Sequence, residues 1–206
     1  MKKTIYLIGR QFGSGGRKIG EALAKKLDIP FYDKELIERA SKESGIIQDL
    51  FERADETHRQ SFLYTLAMGS FAFGSYSATL SDMSMDDKLF LIQSNVIRKV
   101  ADEGSAVIVG RCADYVLKEE KNAVSVFLHA PMEKRIERIA GLYQLEPHKA
   151  KELIVKTDKR RSGYYQYYTS QKWGAAENFH LALDTSTLTK EEIVDLLVRY
   201  GELKSR

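Results

Sequence analysis

Two patterns of apolar residues alternate along this chain: short apolar runs, typical of strands, and apolar residues spaced as in a helix. Their alternation predicts an α/β protein. After the first apolar run, Ile19, Leu23 and Leu27 recur every four residues, which is the spacing of an amphipathic helix. Helical patterns also follow the next three runs. Because strand–helix–strand crossovers place strands in parallel, we expect a three-layer α/β fold with a parallel sheet of about five strands. The apolar runs predicted as strands are 4–8, 31–32, 106–109, 124–129 and 180–184.

The stretch between the second and third predicted strands carries no strand pattern. Residues 34–42, 48–72 and 86–100 are predicted as helices, and 69–85, poor in charge and rich in Ser and Gly, as a loop or hinge. A chain of 206 residues suits one α/β domain with a complete core. We therefore expect a single domain over 1–206, in which 34–99 forms a helical insertion that binds the substrate.

Composition and charge narrow the functional class. Hydrophobic residues make up 43% and charged residues 30%, and the net charge of +3 argues against a surface that coats nucleic acid. No apolar run approaches membrane-spanning length, and because the first strand begins near residue 4 we expect no signal peptide. The single cysteine, Cys112, excludes an internal disulfide, and the four histidines lack metal-ligand spacing. We expect a cytoplasmic protein without a membrane partner.

The most informative segment is a glycine-rich turn between the first strand and the first helix. Backbone N–H groups and the helix dipole at such a turn form a cradle for phosphate. Against the phosphate-loop pattern G-x-x-x-x-G-K-[ST], Arg10 stands at the first glycine, Gly16 at the lysine and Arg17 at the Ser/Thr. The phosphate-facing cation would be Arg17 or Lys18, and we predict Arg17. A glycine-rich turn without a ligand is the alternative. The residues of the turn are Gly13, Ser14, Gly15, Gly16, Arg17 and Lys18.

Two further signals lie at the carboxyl ends of predicted strands, where open α/β sheets bind ligands. Asp33 follows the second strand, and Arg39 comes six residues later. The alternatives are that Asp33 caps the following helix and that Arg39 is a solvated helix residue. Arg111 follows the third strand, and its forked guanidinium suits a phosphate. An ion pair with Asp114 or Glu119 is the alternative for Arg111.

A basic and aromatic segment spans residues 156–174. Lys159, Arg160 and Arg161 precede a cluster of tyrosines and Trp173. One interpretation is a lid that lowers arginines onto a transferring phosphate. A strip that stacks RNA bases is a second interpretation. A solvated basic helix end followed by an aromatic packing surface is the third.

Taken in order, these motifs resemble those of the cytidylate kinase-like family of P-loop nucleoside monophosphate kinases. Bacterial cytidylate kinases carry a phosphate loop, then D-T-G-x-x-Y-R, G-R-D, an arginine-rich lid and a late L-D-T-[ST] strand. They also carry a strand followed by A-x-x-E-x-R-x-x-R, which APMEKRIER matches here at 130–138. The other matching segments are GSGGRK at 13–18, DKELIER at 33–39, GRC at 110–112, DKRR at 158–161 and LDTS at 183–186.

The resemblance implies a P-loop kinase fold and roles for these residues. The turn at 13–18 would bind the triphosphate of ATP, with Mg²⁺ as the metal. Asp33 would contact the acceptor nucleoside, while Arg39 and Arg111 would hold its phosphate. The chain departs from the family at the loop lysine, at the Ser/Thr that binds magnesium, and at Cys112, where the family has aspartate. No residue is assigned as a metal ligand. The residues implied in catalysis are Arg17, Arg111, Arg160 and Arg161.

We therefore expect transfer of the γ-phosphoryl group of ATP to a small phosphate-bearing acceptor, with CMP or dCMP as the first candidates. The expected partners are nucleotide substrates. The first alternative is a catalytically silent nucleotide-binding regulator. The second is an RNA-binding module that uses the basic and aromatic segment, although the near-neutral charge counts against it. Neither the identity of the acceptor nor the oligomeric state follows from the sequence.

Overall fold

The computed structural model describes residues 3–33, 39 and 84–204, and they form a five-stranded sheet with helices between the strands. Every predicted strand is present, and the first extends two residues further than predicted, to Arg10. The strands are β1 (Ile5–Arg10), β2 (Phe31–Tyr32), β3 (Ala106–Val109), β4 (Ala123–His129) and β5 (Leu181–Asp184). The helices are α1 (Gly16–Leu27), α2 (Met85–Glu103), α3 (Ala113–Val116), α4 (Met132–Tyr143), α5 (Pro147–Thr169) and α6 (Lys190–Lys204), with a 3₁₀ turn at Ala176–Asn178.

The chain divides into two compact units, one of Met1–Tyr32 with Val100–Arg206 and one of Asp33–Lys99. The first unit contains all five strands. The predicted helix 86–100 is present as the longer α2. The predicted helices 34–42 and 48–72 and most of the predicted loop 69–85 lie outside the described residues. The substrate-binding insertion thus stays a prediction.

All strand pairs are parallel, in the order β2-β3-β1-β4-β5. The central strand is β1, in which Ile5 lies level with Ala106 of β3 and Ala123 of β4. Because the strands are parallel, their carboxyl ends share one edge of the sheet. The loops after β1, β3 and β4 therefore leave the sheet close together.

The hydrophobic core covers both faces of β1. Residues 5–8 are each exposed at 1% or less, and successive strand residues point to opposite faces. On one face Tyr6 and Ile8 pack with Leu23 of α1 and Leu197 of α6. Burial on both faces is what a parallel sheet between helix layers requires.

The approach of α6 to the sheet requires a residue without a side chain at Gly201. A Cβ atom built there would come within 2.1 Å of the Tyr6 hydroxyl oxygen and 2.9 Å of Cζ of the same ring. Tyr6 is fully buried, so the ring has little room to move.

We predict opposite effects for two glycine-to-alanine substitutions in helices. Gly201→Ala overpacks the core against Tyr6 and lowers the free energy of unfolding by about 1–3 kcal/mol. Gly163→Ala on α5 is the matched control, because a Cβ there meets nothing within 4 Å. It raises the free energy of unfolding by about 0.5–1 kcal/mol through helix propensity. Urea denaturation measures both values, and a Gly201→Ala protein as stable as wild type would contradict this packing.

Candidate functional site

The glycine-rich turn lies at the carboxyl end of β1, the central strand, and leads into the first turn of α1. Gly13 and Gly15 adopt left-handed backbone angles, with φ of 83° and 84°. At Gly13 a Cβ would also come within 3.0 Å of Cβ of Arg135, so both conformation and space favour glycine. The first N–H groups of α1 have no intrahelical acceptor. They and the helix dipole make this turn suitable for an anion.

The turn is held in shape by side chains on both sides of it. The Gln11 side-chain oxygen accepts the Ala130 N–H at 3.1 Å. The buried Ser14 hydroxyl donates to the Gln11 carbonyl at 2.9 Å, and the Thr185 hydroxyl donates to the Ser14 carbonyl at 2.6 Å. Thr185 belongs to the LDTS segment at the end of β5, so the loops after β4 and β5 fix the turn from the same sheet edge.

Helices α4 and α5 add two arginines and one carboxylate. Arg138 donates to the Gly13 carbonyl at 2.6 Å, and Arg135 donates to the Phe12 carbonyl at 3.3 Å. The Asp158 carboxylate accepts the Phe12 N–H at 2.8 Å and pairs with Arg135 at 2.5 Å. Only 7% of the Arg135 side chain and 17% of the Asp158 side chain are exposed, so this ion pair is poorly screened by solvent.

The two predicted lid arginines differ in their surroundings. Arg161 donates to the Arg10 carbonyl at 3.2 Å, and its guanidinium carbon lies 5.4 Å from the centre of the Phe12 ring. Arg160 is exposed on α5. The structure therefore brings Arg161 to the glycine-rich turn and leaves Arg160 at the surface of the same helix.

Most of the predicted lid segment, 156–174, is the second half of α5. The buried Tyr165 donates to the Asp114 carboxylate at 2.7 Å, and Trp173 makes an edge contact with Phe127, with ring centres 5.3 Å apart. The packing of Tyr165 and Trp173 is what the third interpretation, an aromatic packing surface, expects. The contact of Arg161 with the Arg10 carbonyl brings this arginine beside the glycine-rich turn. Movement of the segment stays a prediction.

Arg17 and Lys18 are both exposed in the first turn of α1. The Arg17 guanidinium pairs with Glu21 one helical turn later, at 2.5 Å, and lies 5.9 Å from the centre of the Phe31 ring. The side chain thus runs along the flank of α1. A role for Arg17 as the main loop cation stays a prediction.

Arg111 lies in an unusual turn after β3. Gly110, Arg111 and Cys112 have φ of 80°, 59° and 55°, so three successive residues are left-handed. For the two with side chains, this conformation costs roughly 1–2 kcal/mol each. Such strain is concentrated at functional sites. The turn holds Arg111 at the same sheet edge as the glycine-rich turn.

Burial, with a smaller contribution from the Asp114 carboxylate, raises the pKa of the Cys112 thiol to about 12. The thiol is therefore protonated at neutral pH and is not a nucleophile. Burial also raises the pKa of Asp114, partly offset by the Tyr165 hydrogen bond. Cys112 serves here as a small buried residue that precedes α3.

The remaining predicted site residues, Asp33 and Arg39, belong to the unit Asp33–Lys99. Asp33 lies in a bend directly after β2, and Arg39 is helical; both are half-buried. Convergence of Arg39 with Arg111 stays a prediction. Within the described part of the chain, no three His, Cys, Asp or Glu side chains lie close enough together to hold a metal ion.

Sequence reasoning gave no role to five residues that hold the turn. All of them except Gln11 stand in segments that match family motifs. Arg135 and Arg138 are three residues apart, a spacing that places side chains on one helix face, and it could have indicated that both contact the same loop. Nothing in the sequence indicated a role for Gln11. The five residues are Gln11, Arg135, Arg138, Asp158 and Thr185.

Comparison with known proteins identifies the fold. The model of the cytidylate kinase-like family matches residues 7–187. An uncharacterized protein from Eubacterium ventriosum ATCC 27560 superposes with a TM-score of 0.72 at 24% identity, over 97% of this chain and 99% of that one. Shikimate kinase from Bacteroides thetaiotaomicron superposes with a TM-score of 0.53 at 15% identity, over 97% and 99% of the two chains. The predicted P-loop kinase fold is confirmed.

One curated relative is named as an isomerase and not as a kinase. The protein named uronate isomerase from Corynebacterium glutamicum is 27% identical over 174 residues, which are 83% of this chain and 32% of that protein. The chain thus spans about a third of the relative it matches, and the isomerase name describes the longer protein. Among the described helices, none has the length and apolarity to cross a membrane.

We predict that the Asp158 contact is a main source of stability at this site. Asp158→Ala leaves Arg135 buried without its partner and lowers the free energy of unfolding by about 3 kcal/mol. Glu137→Ala is the matched control, because it removes an exposed ion pair between Glu137 and Lys134, both on α4 beside Arg135. It costs less than about 1 kcal/mol. Urea denaturation measures both free energies of unfolding, provided that the m-value is the same in wild type and variants. Equal effects of the two substitutions would refute the prediction.

Proposed function

Since the chain belongs to the cytidylate kinase-like family, we propose that it transfers the γ-phosphoryl group of ATP to a small phosphate-bearing acceptor. CMP and dCMP are the first acceptors to test. The observation that carries this proposal is the turn between β1 and α1, with two left-handed glycines at a helix N-terminus. Guanidinium groups of Arg135 and Arg138 donate to its carbonyl groups, and that of Arg161 donates to the Arg10 carbonyl at the end of β1.

The triphosphate of ATP would lie against the backbone from Gly13 to Arg17, with Lys18 beside it. Hydrogen bonds from N–H groups to an anion are stronger than those between neutral groups. Arg135 and Arg138, bound to the Phe12 and Gly13 carbonyls, keep those carbonyls away from the phosphates. The Ser14 and Gly16 N–H groups bond within the loop, to the Gln11 carbonyl at 3.3 Å and to the Ser14 hydroxyl at 3.4 Å. The phosphates would therefore bind to the other N–H groups of the turn and of the first turn of α1, which is the polarity that an anion site needs.

Phosphoryl transfer needs little covalent help from the protein, because positioning and charge stabilisation supply most of the acceleration. We propose that Arg111, Arg160 and Arg161, together with Arg17, stabilise the phosphoryl group during transfer. The contact of Arg161 with the Arg10 carbonyl supports its part in this set. For Arg160 the support is its position, one residue earlier on the same helix.

The acceptor would bind through Asp33, which would contact the nucleoside, and through Arg39 and Arg111, which would hold its phosphate. The strained turn at Arg111 supports this role, because three left-handed residues are not needed to end a strand. Two guanidinium groups on one phosphate form a fixed clamp, since each can donate in parallel to two oxygens.

Magnesium would accompany ATP and neutralise part of its charge. The residues described do not fit a protein-bound magnesium site: Arg17 stands at the hydroxyl position of the loop, and no cluster of metal-ligating side chains is found in the described ranges. We therefore place the metal on the nucleotide and assign it no protein ligand.

A catalytically silent nucleotide-binding regulator is the second candidate function. The observation that favours it is the replacement of the loop lysine by Gly16 and of the hydroxyl residue by Arg17. RNA binding through the basic and aromatic segment has less support, because Tyr165 is buried and Trp173 packs against Phe127. These contacts hold both residues within the protein rather than on an open stacking surface. ATP consumption with CMP, measured beside ATP binding, separates the two nucleotide-binding candidates.

We predict that Arg161→Ala and Arg160→Ala lower kcat and kcat/KM together, by about 100-fold or more, because the contacts proposed between these arginines and the phosphoryl group form only in the transition state. The dissociation constant of ATP stays nearly unchanged in Arg160→Ala, whose side chain is exposed, whereas Arg161→Ala also removes the contact with the Arg10 carbonyl. Lys159→Ala, an exposed neighbour on α5, is the control and keeps wild-type turnover. Steady-state kinetics and calorimetry provide these values. Wild-type turnover in the Arg160→Ala/Arg161→Ala protein would remove both residues from catalysis, whereas ATP binding without transfer in the unmutated protein would favour the silent regulator.

A further inference from the structure

A carboxylate that has no part in the proposed reaction lies directly beyond the Arg111 turn. Asp114 is the second residue of α3, and its carboxylate accepts the hydroxyl of Tyr165, from α5, at 2.7 Å. Burial raises the pKa of Asp114, while hydrogen bonds from Tyr165 and from the backbone N–H groups of Asp114 and Tyr115 lower it. This carboxylate therefore joins the start of α3 to α5.

Tyr165 is the more rigidly held partner in this contact. Only 4% of the residue is exposed. Its carbonyl accepts the Thr169 hydroxyl at 2.6 Å, and the Gln171 side-chain oxygen lies 3.1 Å from its own hydroxyl oxygen. Because the tyrosine is fixed in this way, its hydrogen bond to Asp114 restrains the position of α3 relative to α5.

The Arg111 turn needs such a restraint, because its conformation is unfavourable. The left-handed angles of Gly110, Arg111 and Cys112 include two residues with side chains, for which this region is strained. On the strand side, the Gly110 N–H donates to the Ile8 carbonyl at 3.0 Å. On the other side the turn leads into α3, a helix of four residues that is too short to be stable by itself. The Tyr165 contact anchors this short helix to the longer α5.

The same contact relates Arg111 to Arg161. Tyr165 comes four residues after Arg161 on α5, so the two side chains leave the helix on the same face. Arg161 reaches the Arg10 carbonyl at the end of β1, and Tyr165 reaches the helix that follows β3. One face of α5 thus contacts the ends of two neighbouring strands, which lead into the glycine-rich turn and the Arg111 turn.

We propose that Tyr165 is a positioning residue for the acceptor: through Asp114, it holds the turn that would present Arg111 to the acceptor phosphate, in a fixed place relative to Arg161. This inference rests on the proposed function, in which Arg111 holds that phosphate. Tyr165 is assigned no contact with a substrate. Its hydroxyl affects the reaction only through the Asp114 carboxylate and the backbone between that residue and Arg111.

The test uses the full chain and two measurements on Tyr165→Phe, which keeps the ring and removes the hydroxyl. In steady-state kinetics at saturating ATP, kcat/KM for CMP falls roughly 10-fold, because loss of a hydrogen bond to a carboxylate lets the Arg111 turn move. The dissociation constant of ATP stays nearly unchanged. In hydrogen exchange followed by mass spectrometry, the segment 110–117 exchanges faster, since the N–H groups of residues 113 and 115–117 are hydrogen-bonded within this turn and α3.

Thr169→Val is the matched control, because it also removes one buried hydroxyl from α5 but leaves the contact between Tyr165 and Asp114 in place. It keeps wild-type kcat/KM for CMP and wild-type exchange over 110–117. Asp114→Asn guards against a folding defect in Tyr165→Phe. It keeps an oxygen that can accept from Tyr165, so its kcat/KM lies between those of wild type and Tyr165→Phe. In an Asp114→Ala chain, Tyr165→Phe has no further effect on either measurement, because the partner is already absent.

Unchanged exchange over 110–117 in Tyr165→Phe would overturn the inference. So would faster exchange together with wild-type kcat/KM for CMP, or equal effects of Tyr165→Phe and Thr169→Val. A wild-type chain that transfers no phosphoryl group to CMP would instead count against the proposed function, and exchange over 110–117 then decides whether Tyr165 holds the turn.

Discussion

The hydrogen bond from the Phe12 N–H to the Asp158 carboxylate is the contact on which the arrangement of the site depends. Phe12 belongs to the glycine-rich turn, Asp158 to α5, and Arg135 of α4 neutralises the carboxylate. A turn rich in glycine has few side chains with which to hold itself, and its backbone is costly to order. Side chains from α4, α5 and the end of β5 therefore hold the turn through hydrogen bonds to its backbone. Loss of Asp158 would release the turn and α5 together.

The same contact determines how α5 can take part in function. Arg161 lies one helical turn after Asp158 and reaches the Arg10 carbonyl, so the helix that carries the proposed catalytic arginines is attached to the turn that would carry the nucleotide. Lid opening by the whole helix would break the Asp158 contacts. We therefore expect any opening to be confined to movements that keep α4, α5 and the turn as one body.

Much of the fold could be predicted from the sequence, because it depends on local patterns. Residues 5–8 and 106–109 are apolar on both faces, and the spacing of Ile19 and Leu23 requires a helix that packs on them. The contacts of the site depend instead on which distant residues meet. No local pattern tells that residues 12, 135 and 158 come together, or that Tyr165 reaches Asp114 from another helix. Family motifs marked most of these positions without revealing their partners.

The central claim is that the turn between β1 and α1 binds phosphate and is held in shape by arginines that donate to its carbonyl groups. A crystal structure of the full chain with a non-hydrolysable ATP analogue and Mg²⁺ tests it most directly. We predict that the phosphate chain lies in the cradle from Gly13 to Arg17, bound by N–H groups there, with the Asp158 and Arg138 contacts unchanged. An empty cradle, with the nucleotide bound elsewhere, would contradict this account.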